Sequence, residues 1–502
     1  MVYGFTLPTT SHLSFQTFLS SSTHPSLPQA ASTARHALRV ALKAHKHLSR
    51  GPQQDSHLTT VLNALNDYLP YLLAISNGLS GSTIGNNTED VEITLRSELE
   101  SEWRATLSST TPSLPIKGKG TSAGRIRGHG IDYEIAFTVM TLGYVLSNMA
   151  HSIVVRTLYA TKTPTPEQRT AAVQTATKYL LQASAVHISL STSSSPTGTV
   201  PNSVPDLDPA TQSALSSLAL AEATLLAVLK DDSYVTTCIQ ARNPNDKDWM
   251  VRAPEIPKVR AMLFARLCVR AAEYAEQASA GLGAVEAQGK GGIEDDLLRY
   301  ARVLGRVARA RACRFFGVDA ELAGKVGEGI AWLRAAKSAL GLRIGPLSVM
   351  EGSVKRERGF SRLKREWSER REERKMEKDA GSRDRGEKSE LDPGDNAGRE
   401  EEGRVIEMLE TKWVRMNDTI NTQLVPPSTD LLTNLPSGRD IHSPPGPYKL
   451  PALDEEELVR MRAPPGDDEI GPGSDLDDSD EEAAVDVEAA GDRPAEHESA
   501  YY

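Results

Sequence analysis

Along most of the chain, apolar residues return every three or four positions, and strict apolar–polar alternation is almost absent. That period predicts helices over residues 32–50, 54–77, 91–107, 131–159, 165–190, 210–231, 254–280, 293–315, 319–342 and 396–420. TPEQ at 165–168 is a good helix start, with Pro166 in the first turn and Glu167 near the positive end of the dipole. DPATQ at 208–212 is another. Stretches rich in Ser, Thr, Gly and Pro at 109–124 and 189–209 read as flexible insertions between helices. No repeat of fixed period is visible, so a regular TPR or HEAT array is not indicated, while an irregular helical solenoid is.

The segment IDYEIAFTVMTLGYVLSNMAH (131–151) is the most apolar of these helices, with no formal charge from Ile135 through Val155. Ile135, Val139, Leu142, Leu146, Met149 and Ile153 form a bulky stripe. Beside it run Ala136, Met140, Gly143, Ser147, Ala150 and Val154, which are mostly small. A helix with one bulky and one small face has neighbours on two sides, because the small face lets another element approach closely. Its length would permit a membrane anchor at 135–155. Asn148 and His151 lie within it, however, and both are unfavourable near a bilayer centre. The buried spine of a helical domain is the better reading.

Charge separates a body from a tail. Net charge is −10, yet residues 454–502 hold 18 Asp and Glu against three Lys and Arg. Such a segment has too little apolar surface to offset its ordering entropy, so residues 451–502 are expected to form a disordered acidic tail. In the basic stretch from Lys355 to Lys388, carboxylates offset most of the positive charge, and Phe360 and Trp367 are its only aromatics. That argues against nucleic acid and for a solvated insertion near 352–390. Cys238, Cys268 and Cys313 show no paired spacing, which fits a reducing compartment, and the N-terminus does not look like a secretory signal. In that setting the sequons at Asn86 and Asn417 carry little weight.

Candidate chemistry is sparse. The glycines of GKGTSAGRIRGHG follow no strand, and Lys119 precedes Gly120 rather than Ser or Thr, so the phosphate-loop order is not met. His45 and His47 point to different helix faces, and no Cys or acidic pair completes a metal set. GxSxG and HExxH are absent. The expectation is a protein that is not an enzyme and takes no cofactor or metal.

Several phrases resemble a known family. DYEIAFTVMTLGYVLSNMA is similar to the central helix of the BRO-type domain of Alix and its fungal relatives, where FEKAxVLFNxGALxSxxA stands in the same place. Four more follow in the family's order: SALSSLALAEATLLAVLKDD (213–232), PKVRAMLFARLCVRAAEYAEQA (257–278), VGEGIAWLRAAKSAL (326–340) and KWVRMNDTINTQLVPPSTDLLTNLPSGRDI (412–441). Glu134–Ile135 departs from the pattern, since a Glu-Lys pair is common there. Within the family, DWMVRAPEIPKVRAMLFARLC and LPSGRDIHSPP look most like the fungal branch that regulates the response to ambient pH.

The resemblance implies an all-α, banana-shaped helical solenoid with a TPR-like core over residues 1–450 and a small N-terminal β-sheet near residues 1–15. It also implies a partner, the C-terminal amphipathic helix of the core ESCRT-III filament subunit. The adaptor would then link that subunit to a plasma-membrane pH-sensor complex and to proteolytic activation of a transcription factor. Such a protein would be cytoplasmic, touching membranes only through its partners. Helix-in-groove recognition needs apolar anchors; Leu218 and Leu225 on one side of the 213–232 helix, and Ile330, are the expected patch residues. The alternatives are a generic endosomal ESCRT-associated scaffold and the membrane-anchored protein.

Overall fold

In a computed structural model, the protein is described over residues 1–81, 91–109, 125–160, 164–192, 204–240, 258–287, 292–342, 396–443, 445–446 and 448–464. The expected insertion at 352–390, and most of those at 109–124 and 189–209, lie outside these residues.

Helices α1 (Leu27–His47), α2 (Pro52–Ser56) and α3 (Leu58–Ser80) open the fold, and α1 and α3 pack as a pair. The solenoid follows as α4 (Ile131–Thr157), α5 (Pro166–Thr192), α6 (Pro209–Leu229), the short α7 (Ser233–Gln240), α8 (Lys258–Ala287), α9 (Asp295–Leu322) and α10 (Val326–Leu340). Its long helices pack in the order α4–α5–α6–α8–α9–α10, each mainly on its neighbours in the chain. Helix α11 (Arg399–Met416) lies against α10, and α12 (Ser428–Thr433) and α13 (Glu455–Met461) follow. Local chemistry sets the starts of two helices. Thr165 and Gln168 exchange backbone-to-side-chain hydrogen bonds at the head of α5, and the Asp208 carboxylate accepts from the Ala210 N–H at the head of α6.

Helix α4 is the spine. Its apolar window is 78% buried inside the protein, so its hydrophobicity is spent on core packing. The small face behaves as its composition predicts. At Gly143 a Cβ would lie 2.6 Å from the imidazole of His187 on α5, a contact only glycine admits. Asn148, the residue that argued against lipid, is satisfied twice: it accepts from the Phe5 N–H at 2.7 Å and donates to the Phe5 carbonyl at 2.8 Å.

Three expectations need correction. Residues 91–107 are not helical; they hold strands β2 (Ile93–Leu95) and β3 (Glu100–Trp103). Leu99, Ser101 and Trp103 are buried and Glu100 is exposed, a period-two pattern that the polar Ser101 disguises. Among the described residues the small sheets are three antiparallel pairs: β2 with β1 (Leu19–Ser21), β3 with β5 (Ile126–His129), and β4 (Ser108–Ser109) with β6 (Gly292–Ile293). Among the described residues, 1–15 contribute only the isolated bridge from Thr10 to Trp103. Helix side chains, Asn148 and Glu222, take up backbone groups of that segment in place of a neighbouring strand. Finally, the compact body ends at Arg462 rather than 450. Leu453, Leu458 and Met461 are buried, and the Tyr71 hydroxyl donates to Glu457. Residues 465–502 of the expected tail lie outside the described residues.

Candidate functional site

Several charged side chains inside the body are engaged with one another. The Glu134 carboxylate is fully buried and accepts from Arg35 at 2.8 Å, Tyr68 at 3.0 Å and Trp103 at 2.7 Å. Glu402 of α11 receives Arg311 and Arg314 of α9, and Arg314 reaches on to Asp232. Burial alone would raise the Glu402 carboxyl, but the two guanidiniums outweigh it and hold the group below the ordinary carboxylate range. These are structural ties between elements. Among the described residues, no three His, Cys, Asp or Glu side chains gather as they would to hold a metal ion.

A feature that could receive a partner is a groove of about 890 Å³ between α5 and α8, with α6 as its floor. Helical spacing builds each wall. On α5, Val173, Thr177, Leu181 and Ala185 recur every four residues and share one face. On α8, Leu263, Phe264 and Leu267 supply the facing wall. Ala227 on α6 is small, which keeps the floor low. Leu181 and Leu263 remain half-buried, so their apolar surface is open to a ligand.

The rim is basic. Among the described residues, Lys178, Lys230, Arg260 and Lys449 are the cations lining the groove, against the single carboxylate of Asp231, which pairs with Arg260 at 3.1 Å. An apolar channel with a positive margin suits an amphipathic helix carrying acidic residues beside its apolar stripe.

The chain closes the remaining side itself. An extended strap leaves α12 and crosses α8: the Arg439 N–H donates to the Arg266 carbonyl at 3.1 Å, and Arg266 Nε donates to the Ser437 carbonyl at 3.1 Å. Gly438 lies so close that a Cβ would meet the Arg270 backbone nitrogen at 2.7 Å. Asp440 accepts from Arg270 Nε and from the Tyr274 hydroxyl, each at 2.7 Å. Ile441, His442, Tyr448 and Lys449 then line the groove. Burial pulls the His442 imidazole below its usual range, opposed by a hydrogen bond with the Ala223 backbone on α6.

The residues expected to form the patch lie elsewhere. Leu218 is 1% exposed, Leu225 is fully buried and Ile330 is 1% exposed. All three belong to the hydrophobic core, so a helix lying on the surface would not touch them. On α6, Leu218 and Leu225 share one face, whereas Ala227, two residues past Leu225, sits about 200° round the helix. The larger leucines of this helix face inward. The open face is marked by a small residue followed by Lys230 and Asp231, which is a weak signal in sequence.

Comparison with known proteins agrees with this architecture. The BRO1-like domain family pattern matches residues 9–437. The chain is 64% identical over 516 residues to the pH-response regulator protein palC of Emericella nidulans, covering 100% of both. It is 27% identical over 499 residues to a pH-response regulator protein palC of Cryptococcus neoformans, covering 88% of this chain and 90% of that one. Among solved structures, an ALIX BRO1 CHMP4C complex superposes with a TM-score of 0.50 at 14% identity, covering 90% of this chain and 96% of that one. At that identity the likeness speaks to the fold.

Proposed function

Because the chain belongs to the BRO1-like domain family, we propose that it is a non-enzymatic adaptor of fungal ambient-pH signalling whose α5/α6/α8 groove receives the C-terminal amphipathic helix of the core ESCRT-III filament subunit. The observation that carries the reading is the groove itself, with its half-buried Leu181 and Leu263 and its basic margin. Apolar anchors of the partner helix would fill the channel, and acidic residues flanking them would meet Lys178, Lys230 and Lys449. The solved ALIX BRO1 domain is in complex with CHMP4C, and that precedent on the same fold supports the choice of partner.

In this reading the protein works in the cytosol and reaches endosomal or plasma membranes through its partners, linking a pH-sensor complex to ESCRT-III and to proteolytic activation of a transcription factor. A fungal strain whose own copy carries Leu263→Asp tests it. With protein level unchanged, growth and transcription-factor processing at alkaline pH should fail. Normal processing in that strain would contradict the assignment of the groove.

A further inference from the structure

The family pattern ends at residue 437, yet the groove is lined by residues up to Lys449. One side of the site is therefore supplied by residues past the end of the matched pattern. That segment is held at both ends. Upstream, Asp440 is clipped to Arg270 and Tyr274, and Arg266 binds the backbone on both sides of Gly438. Downstream, α13 buries Leu458 and Met461 and ties Glu457 to Tyr71 on α3. Between these anchors the strap leaves the channel open, with Ile441 46% exposed and Lys449 exposed at its edge.

We propose that Ile441, His442, Tyr448 and Lys449 form a fourth wall of the partner site, in which Ile441 adds an apolar contact and Lys449 a charge contact to an acidic amphipathic helix docked on α5, α6 and α8. The inference rests on the groove reading above. A strap fixed at both ends costs little further ordering when a ligand arrives, so its contacts add to affinity rather than being spent on closing a loop. Its composition would also set preference, since a helix lacking acidic residues on the side facing Lys449 loses that contact.

The test is titration of the full-length chain with a synthetic peptide of the ESCRT-III C-terminal helix, using wild type, Ile441→Asp and Lys449→Glu. Both positions are exposed, so the thermal midpoint should stay at the wild-type value. Ile441→Asp should weaken binding about tenfold. Lys449→Glu should weaken it about threefold, with the difference shrinking as salt rises. Unchanged affinity in both variants would overturn the wall and leave the groove standing. Tighter binding would show the strap to be a competitor for the groove, which also overturns it. Absence of wild-type binding would remove the groove reading, and the wall with it.

Discussion

Asp440 accepts a 2.7 Å hydrogen bond from Arg270, and this pair fastens an extended strap to a solenoid helix 170 residues earlier in the chain. The pair is half open to solvent, at 29% and 51% side-chain exposure, so its value to global stability is small, on the order of 1 kcal/mol or less. Its effect is local. Asp440→Ala should leave the melting temperature nearly unchanged while speeding protease cleavage between residues 441 and 452. Equal cleavage rates in wild type and variant would show that the clip does not hold the strap.

Close packing of α4 on α5 depends on Gly143. Adding a methyl group there places it 2.6 Å from the His187 ring, which is itself buried and bonded to Gln212. Gly143→Ala should therefore destabilise the body by about 1–3 kcal/mol, read as a lower urea midpoint. A variant as stable as wild type would mean that the two helices part without cost.

The Asp232–Arg314–Glu402–Arg311 cluster joins the end of α6, α9 and α11 with no solvent access. Glu402→Ala would leave Arg311 in the interior without its carboxylate and Arg314 with Asp232 alone, and should cost about 3–5 kcal/mol. Because the Glu402 carboxyl is held below its usual range, its contribution is present above the ordinary carboxylate range and lost as pH falls through the depressed value. Acid unfolding should accordingly begin at a higher pH in the variant. A variant that unfolds at the same acid pH as wild type would contradict this role.

Glu222 has the opposite sign. Fully buried, it accepts from the Tyr3 N–H at 2.8 Å and the Tyr300 hydroxyl at 2.9 Å, and burial pushes its carboxyl up to about 7. The folded protein therefore keeps this proton where the unfolded chain has released it, and stability falls as pH rises from the ordinary carboxylate range to about 7. Over that window the loss is on the order of 3 kcal/mol. Glu222→Gln should remove this part of the slope when denaturant midpoints are measured between pH 5 and pH 7.5. Parallel slopes in the two proteins would place the proton elsewhere.

Much of this architecture is legible in the sequence because helical period and small-residue stripes follow directly from packing. The α4 spine, the close approach at Gly143 and the start of α6 at Asp208 and Pro209 are of this kind. The strand at 100–103 is hidden because one of its inward positions is a serine, which a reading by hydrophobicity discards. Helix α13 was hidden for a related reason: Leu458 and Met461 are few among the carboxylates of DEEELVRM, and only their burial shows that they dock. Leu218, Leu225 and Ile330, expected to meet a partner, are buried in the core. Size marks the leucines that fill a core, whereas a surface that waits for a partner can be shaped by an alanine and edged by a lysine.

The most direct test of the account is calorimetric titration of the full-length chain with the ESCRT-III C-terminal helix peptide, comparing wild type with Leu263→Asp. Leu263 is half-buried and faces the channel from α8. Removing its contact should cost about 1.5–3 kcal/mol, roughly ten- to hundredfold in affinity, in a variant that still melts cooperatively. Wild-type binding that Leu263→Asp leaves intact, or no binding by the folded wild type, would contradict the central claim that this groove holds the partner helix.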